Sequence, residues 1–99
     1  MKYDLTEKLK LGEDPVLVVK GVELTVNSDA TAVMQMMDVF QHESAIAAAQ
    51  KAADLLLTEK DRKKLAELHL KMDDYLTVMQ TAVKLAMGDD PEEDATAGE

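Results

Sequence analysis

The side chains that could carry out chemistry in this chain are few, and their spacing matches no catalytic or metal-binding motif. His42 and His69 are the two histidines, and the chain has no cysteine. Glu43, Asp73 and Asp74 are conceivable ligands, but no spacing fixes these groups on one helix face as an HExxH motif does. We therefore expect neither a metal nor a cofactor.

The serines and glycines also argue against catalysis. Ser28 and Ser44 precede helical patterns, where a serine oxygen accepts an amide proton of the first helical turn, so we interpret both as caps and not as nucleophiles. There is no glycine-rich phosphate loop. His69 lies beside an apolar helical stripe, which indicates a histidine at the margin of the core more than a general base. The chain is therefore expected not to be an enzyme.

Methionine is the unusual residue, with seven in 99 positions. Met34, Met36 and Met37 stand nearly in a row. The flexible side chain of methionine suits surfaces that accommodate varied apolar partners, but it also fills gaps in cores that lack aromatic residues. Both interpretations stay open, with Met34 and Met36 as candidate partner contacts.

The net charge of −9 is concentrated at the C-terminal end. Six of the twenty acidic residues follow Gly88, which leaves fourteen acids and eleven bases, a balance of −3. We expect residues 1–88 to form a single domain and residues 89–99 a disordered acidic tail. The one basic cluster, at residues 60–64, contains and adjoins acids, so it indicates a solvated helix turn and not a nucleic-acid interface.

The chain shows no membrane or export signal. Its apolar runs are too short for a transmembrane helix. Met1–Leu5 has no apolar stretch of the kind found in signal peptides. We expect a cytoplasmic protein.

The elements that position these residues begin with strands. Tyr3, Leu5, Leu9 and Leu11 fall on alternate positions, which is typical of a strand, although Glu7 stands in the same series where an apolar residue is expected. Residues 16–19 and 22–26 are β-rich and flank Lys20-Gly21, which predicts a tight hairpin because glycine readily takes positive φ.

Helical patterns follow. Asn27, Ser28 and Asp29 are N-cap residues, and an apolar face is predicted after them, at Val33, Met36, Met37 and Phe40. Residues 45–57 are alanine-rich and favour helix. Whether the chain bends at residues 42–44 stays open.

Residues 58–87 are predicted to form one long helix that Gly88 ends. Thr58 and Asp61 resemble a capping box at its start. The helix carries an apolar stripe, predicted to pack on its own domain: Leu65, Leu68, Met72, Leu76, Met79, Val83 and Met87. Leu70, Val78 and Leu85 lie on the opposite side by helical-wheel arithmetic. They are either scattered surface residues or a second strip for a partner or another subunit, and we take them as the main candidate partner contacts.

Three segments resemble the tail assembly chaperones of long-tailed bacteriophages and prophages of Gram-positive hosts. They are the hairpin at residues 19–26, the capped helix from Asp29 to Phe40, and the C-terminal residues 72–79 and 82–88 with their acidic end. The resemblance implies a non-enzymatic protein that coats the apolar helical tape measure protein, keeps it soluble and helps recruit the major tail protein. Many such proteins have a longer frameshifted form. We also expect a homo-oligomer.

We therefore expect an α+β fold in which an N-terminal hairpin or small antiparallel sheet precedes two or three helices, the last one long. The expected function is chaperone-like binding of a long apolar helical partner. The alternative is an acidic regulatory or inhibitor protein that occupies a basic nucleic-acid-binding surface, which would depend on the charged tail.

Overall fold

The computed structural model describes residues 1–9 and 12–89. Over these residues the α+β prediction is confirmed, with four α helices where two or three were expected. After a 3-10 turn, Thr6–Lys8, the elements are β1 (Val16–Val19), β2 (Val22–Thr25), α1 (Ala30–His42), α2 (Ala45–Leu56), α3 (Glu59–Glu67) and α4 (Met72–Ala86). Apart from Asp89, the predicted acidic tail lies outside the described residues.

The predicted hairpin is confirmed. Lys20 (φ 51°) and Gly21 (φ 80°) both have left-handed backbone, as the two central residues of a type I′ turn require. The strands pair antiparallel with Leu17 opposite Leu24 and Val19 opposite Val22. These four side chains point toward the core, where Leu24 is fully buried.

The strand predicted at the N-terminus is wrong over the residues described there. Thr6–Lys8 is a 3-10 turn, and Tyr3, Leu5 and Leu9 are exposed. The Asp4 carboxylate accepts hydrogen bonds from the Thr6 hydroxyl and backbone N–H, which lower the pKa of Asp4. Such a local side-chain turn competes with strand pairing, and the alternating pattern does not register it.

The chain does break between α1 and α2. Glu43 is extended (φ −119°, ψ 159°), and Ser44 Oγ accepts a hydrogen bond from Ala47 N at 3.2 Å, so Ser44 caps α2 as predicted. Ser28 does not act as a cap. Its hydroxyl donates to Asp14 Oδ1 at 2.8 Å, while Asn27 Oδ1 accepts from Asp29 N at the start of α1.

The single helix predicted over residues 58–87 is wrong, because it breaks after Glu67. The N–H groups of Leu68 and His69 bond back three residues instead of four, and His69 has a left-handed backbone with φ 51°. The chain is extended at Lys71, where α4 starts afresh. His69 is exposed at this turn and does not lie at the core margin.

The core forms where α2 and α4 meet beneath α1 and the hairpin. Its centre is rich in alanine, which allows the helices to approach closely. Buried alanines lie on both helices: Ala48, Ala49, Ala52, Ala53, Ala82 and Ala86. Larger buried side chains fill the space around them, chiefly Leu24, Val26, Met36, Leu56 and Met79.

The predicted apolar faces are correct at their centres and wrong at their edges. On α4, Met79 and Val83 are buried, but Met72 is exposed, as is Met87 just after the helix. The buried face includes Ala82 and Ala86 instead, because α4 packs on the small residues of α2. On α1 the face centres on Ala32 and Met36, which leaves Met37 and Phe40 exposed. Of these exposed residues, Phe40 lines the candidate site.

Candidate partner-binding groove

Three helices enclose an apolar groove of about 280 Å³. We call it the α1–α2–α4 groove, and it is lined by Phe40 of α1, Ala45, Ala49 and Ala52 of α2, and Leu76 and Met79 of α4, with Glu43 and Gln80 beside them. Ala49, Ala52 and Met79 are buried and form its base. The groove exists because alanines stand on α2 where larger side chains would fill the space.

Phe40 is the most conspicuous side chain of the groove. It is the one phenylalanine of the chain, and it is 45% exposed. Leu76 is half-buried opposite. A partner that covers both this aromatic ring and the apolar depression is stabilised, because apolar surface is removed from water.

Exposed apolar side chains extend the groove along its helices. Met37 precedes Phe40 by one turn, and Met72 precedes Leu76 by one turn, so each lies on the same helix face as its neighbour. Ile46 stands three residues before Ala49 on α2. Met37, Ile46 and Met72 are each more than half exposed, at 51%, 53% and 55%. None of the three lines the depression itself, but they add exposed apolar surface on the three helices that form it.

One ion pair holds the polar edge of the groove. Lys51 Nζ donates a hydrogen bond to Glu43 Oε1 at 2.6 Å, linking the α1–α2 turn to the middle of α2. This hydrogen bond, and then the charge of Lys51, lower the pKa of Glu43. Glu43 is thus ionised near neutral pH and marks the boundary between apolar surface and solvent.

A second, shallower apolar depression lies on the other flank of α1. Met34 and Val39 of α1 line it with Leu55 of α2, and the polar residues around it are Thr31, Gln35 and Asp38. Met34 is 61% exposed. Its exposure agrees with the prediction that Met34 is available to a partner, a role that stays a prediction.

The structure places the other predicted contacts differently. Met36 is 1% exposed and belongs to the core, so the methionine run supplies one core residue and two surface residues. Leu70, Val78 and Leu85 are half-buried and pack against the core, and they do not form a strip opposite it. The break after Glu67 changes the helical phase, so the wheel arithmetic that joined Leu70 to Val78 and Leu85 does not apply.

The groups considered for chemistry remain scattered. His42 Nδ1 lies 3.3 Å from Asp38 Oδ1 on the exposed side of α1. Among the residues described, no three histidine or acidic side chains come together in a group that could hold a metal ion. Within the same residues, no helix has the length and apolar character needed to cross a membrane.

One residue of the basic cluster has a structural role that the sequence analysis missed. The Arg62 guanidinium donates to the backbone oxygen of Leu57 at 2.7 Å, at the C-terminal end of α2. It is half-buried and does not belong to a purely solvated turn. Lys60 and Lys63 beside it are exposed, as predicted.

Sequence reasoning missed the groove because it assigned Phe40 and Leu76 to buried faces. A signal was present in the run of alanines on α2, which cannot fill the space beside a phenylalanine and a leucine. The groove can bury apolar groups of a partner, and its lining residues include no acid–base pair. Comparison of the chain with protein-family models, with curated proteins and with solved structures finds no match.

Proposed function

We propose that this protein is a tail assembly chaperone of a long-tailed phage or prophage. In this role it binds the tape measure protein in the host cytoplasm, keeps it soluble and helps recruit the major tail protein. The phage-specific part of the proposal rests on the resemblance of the hairpin, the capped helix and the C-terminal segment. The binding of an apolar helix rests on the surface of the folded domain.

The α1–α2–α4 groove is the observation that carries the binding proposal. An amphipathic helix binds by inserting apolar side chains spaced three or four residues apart into an apolar groove. The volume of about 280 Å³ suits a few such side chains. Exposed methionines beside the groove adapt to different side chains, as a protein that coats a long and varied helix requires.

The test is co-expression with the tape measure protein encoded beside this chain. We expect the unaltered protein to keep it soluble and to co-purify with it. The proposal is overturned if no such gene is adjacent, or if the tape measure protein stays insoluble.

Matched variants locate the binding surface. Phe40→Asp puts a charge into the groove and should reduce co-purification about tenfold or more, as loss of a buried aromatic anchor does. Tyr3→Asp changes another exposed aromatic residue away from the groove and should have little effect. Met34→Asp tests the depression on the other flank of α1 in the same way. Circular dichroism melting confirms that each variant is folded, and equal co-purification by all three contradicts the groove assignment.

A further inference from the structure

One edge of the hairpin is open. β2 is covered on its outer side by α3, where Thr25 N donates to Asp61 Oδ2 at 3.0 Å. Among the residues described, β1 pairs with β2 alone. The side chains of Val16 and Val18 on β1 are 50% and 60% exposed. Strand edges of this kind are usually protected by charges, proline or a bulge, and the four residues of β1 are all aliphatic.

The ladder determines which main-chain groups of β1 face outward. Val26 N donates to Pro15 O at 2.8 Å, so Pro15 and Val26 form a hydrogen-bonded pair. Hydrogen-bonded pairs alternate with non-hydrogen-bonded pairs along an antiparallel ladder. Leu17 and Val19 therefore bond to β2, and the N–H and C=O groups of Val16 and Val18 point away from it.

We propose that β1 pairs with β1 of a second copy of this chain, antiparallel and about a two-fold axis that runs between the two copies of Leu17. This register places Val16 of each copy opposite Val18 of the other. Both residues carry outward main-chain groups, so each such pair exchanges two hydrogen bonds, as antiparallel hydrogen-bonded pairs do. The two hairpins become one four-stranded sheet, and the exposed valines of the two copies pack side by side on one face.

Charge complementarity favours this register. The same two-fold brings Asp14, two residues before β1, to the end of the partner strand that leads into Lys20 of the turn. Both side chains are exposed. Asp14 Oδ1 already accepts from both the backbone N–H and the hydroxyl of Ser28, so we assign Oδ2 to the second copy's Lys20. A shift of the register by two residues in either direction separates these charges and leaves one valine of each strand without its partner.

The proposal does not depend on the proposed function, because it involves neither the groove nor a tape measure protein. Analytical ultracentrifugation of the full chain over a wide range of concentration is the first test, and we expect a monomer–dimer equilibrium. Val18→Pro removes the outward N–H without removing a hairpin bond, so it should give a folded monomer. Val18→Thr keeps that N–H and the branched shape, and it should still dimerise.

The charged pair is tested at the turn. Lys20→Asp and Lys20→Asn both suit a left-handed turn position, but Lys20→Asp brings an acid near Asp14 of the other copy. We expect Lys20→Asp to weaken dimerisation about tenfold more than Lys20→Asn does, and less so at high salt.

Amide hydrogen exchange of the unaltered chain tests the same edge without a substitution, should Val18→Pro fail to fold. The Val16 and Val18 amides should become protected as the concentration rises. The proposal is overturned if the protein is monomeric throughout, if these amides stay unprotected in a dimer, or if a folded Val18→Pro still dimerises.

Discussion

At the residue scale, Asp61 joins two parts of the fold that are distant in sequence. Its backbone N–H donates to Thr58 Oγ1 at 3.2 Å, which caps α3, and its carboxylate accepts from Thr25 N of β2. Lys64 Nζ lies 3.5 Å from the same carboxylate. A capping box would direct this acid to the backbone of the cap residue. The capping box predicted from the sequence is therefore only half formed. Thr58 caps α3, but the Asp61 carboxylate binds the backbone of β2 instead of the cap residue.

Asp61→Ala should destabilise the domain by ~1–3 kcal/mol, because it leaves a backbone N–H of β2 without its charged acceptor. Urea unfolding measures the change in the free energy of unfolding. Asp54→Ala is the matched control, since Asp54 is exposed and 3.8 Å from Arg62 Nε, and exposed pairs contribute about 0–1 kcal/mol. Equal losses in the two variants would contradict the role given to Asp61.

Glu43 gives the fold a pH dependence of known sign. Its pKa is lowered in the folded protein by the hydrogen bond from Lys51, so its stabilising effect is present above the ordinary glutamate pKa and disappears as the pH falls through the lowered value. Melting temperatures across this range should show Glu43→Gln less stable than the unaltered protein near neutral pH, with the difference vanishing in acid. Glu13→Gln, in the exposed loop before β1, should follow the unaltered protein. Parallel curves for Glu43→Gln would rule out the effect.

At the element scale, the break between α3 and α4 decides which surfaces are apolar. No glycine or proline marks it, and the apolar stripe continues through it. His69 nevertheless takes the left-handed conformation that commonly follows a helix end. Asp73 and Asp74 then lie in the first turn of α4, where acids are favoured by the helix dipole. That acidic pair is the one signal of a new helix.

A glycine substitution at His69 tests whether the chain breaks there. The free energy of unfolding should change in opposite directions for two helices and for one continuous helix. His69→Gly should raise the free energy of unfolding by ~0.5–1 kcal/mol, because glycine relieves the cost of the left-handed backbone. Within a continuous helix the same substitution would cost about 1 kcal/mol. Ala66→Gly, exposed within α3, should show that cost and serves as the control in the same chemical unfolding experiment.

At the scale of the whole molecule, the apolar surface and the acidity lie in different parts of the chain. The groove belongs to the helical domain, whereas six of the acids follow Gly88. The groove therefore provides apolar contact, and the tail provides most of the net charge. A partner that binds through the groove need not contact the acidic tail, and a partner that binds the tail need not contact the groove.

Removing residues 89–99 separates the two candidate functions. We expect the truncated chain, with its net charge reduced to −3, to retain the tape measure protein with affinity changed only a few-fold and with little dependence on salt. An inhibitor of a nucleic-acid-binding surface would lose most of its affinity for a basic partner, and the affinity of the full chain would fall with ionic strength. Affinity titrations at low and high salt distinguish these outcomes.

The sequence by itself determined the features that depend on neighbouring residues. A Lys-Gly pair between β-rich runs specifies the hairpin, since the turn needs positive φ at adjacent positions. Ser44 and Thr58 specify two helix starts through oxygens that reach the next turn. The charge distribution also follows directly from the order of residues.

Only the tertiary structure decided which side of each helix is buried. Alanine is small enough to lie in a close contact between helices. Ala82 and Ala86 of α4 therefore pack against α2 in the core, and Met72 is left exposed. Because the helix breaks at His69, Leu70 lies before α4 and does not share a helix face with Val78 and Leu85. These outcomes depend on contacts between segments far apart in the chain, and periodicity within one segment does not contain them.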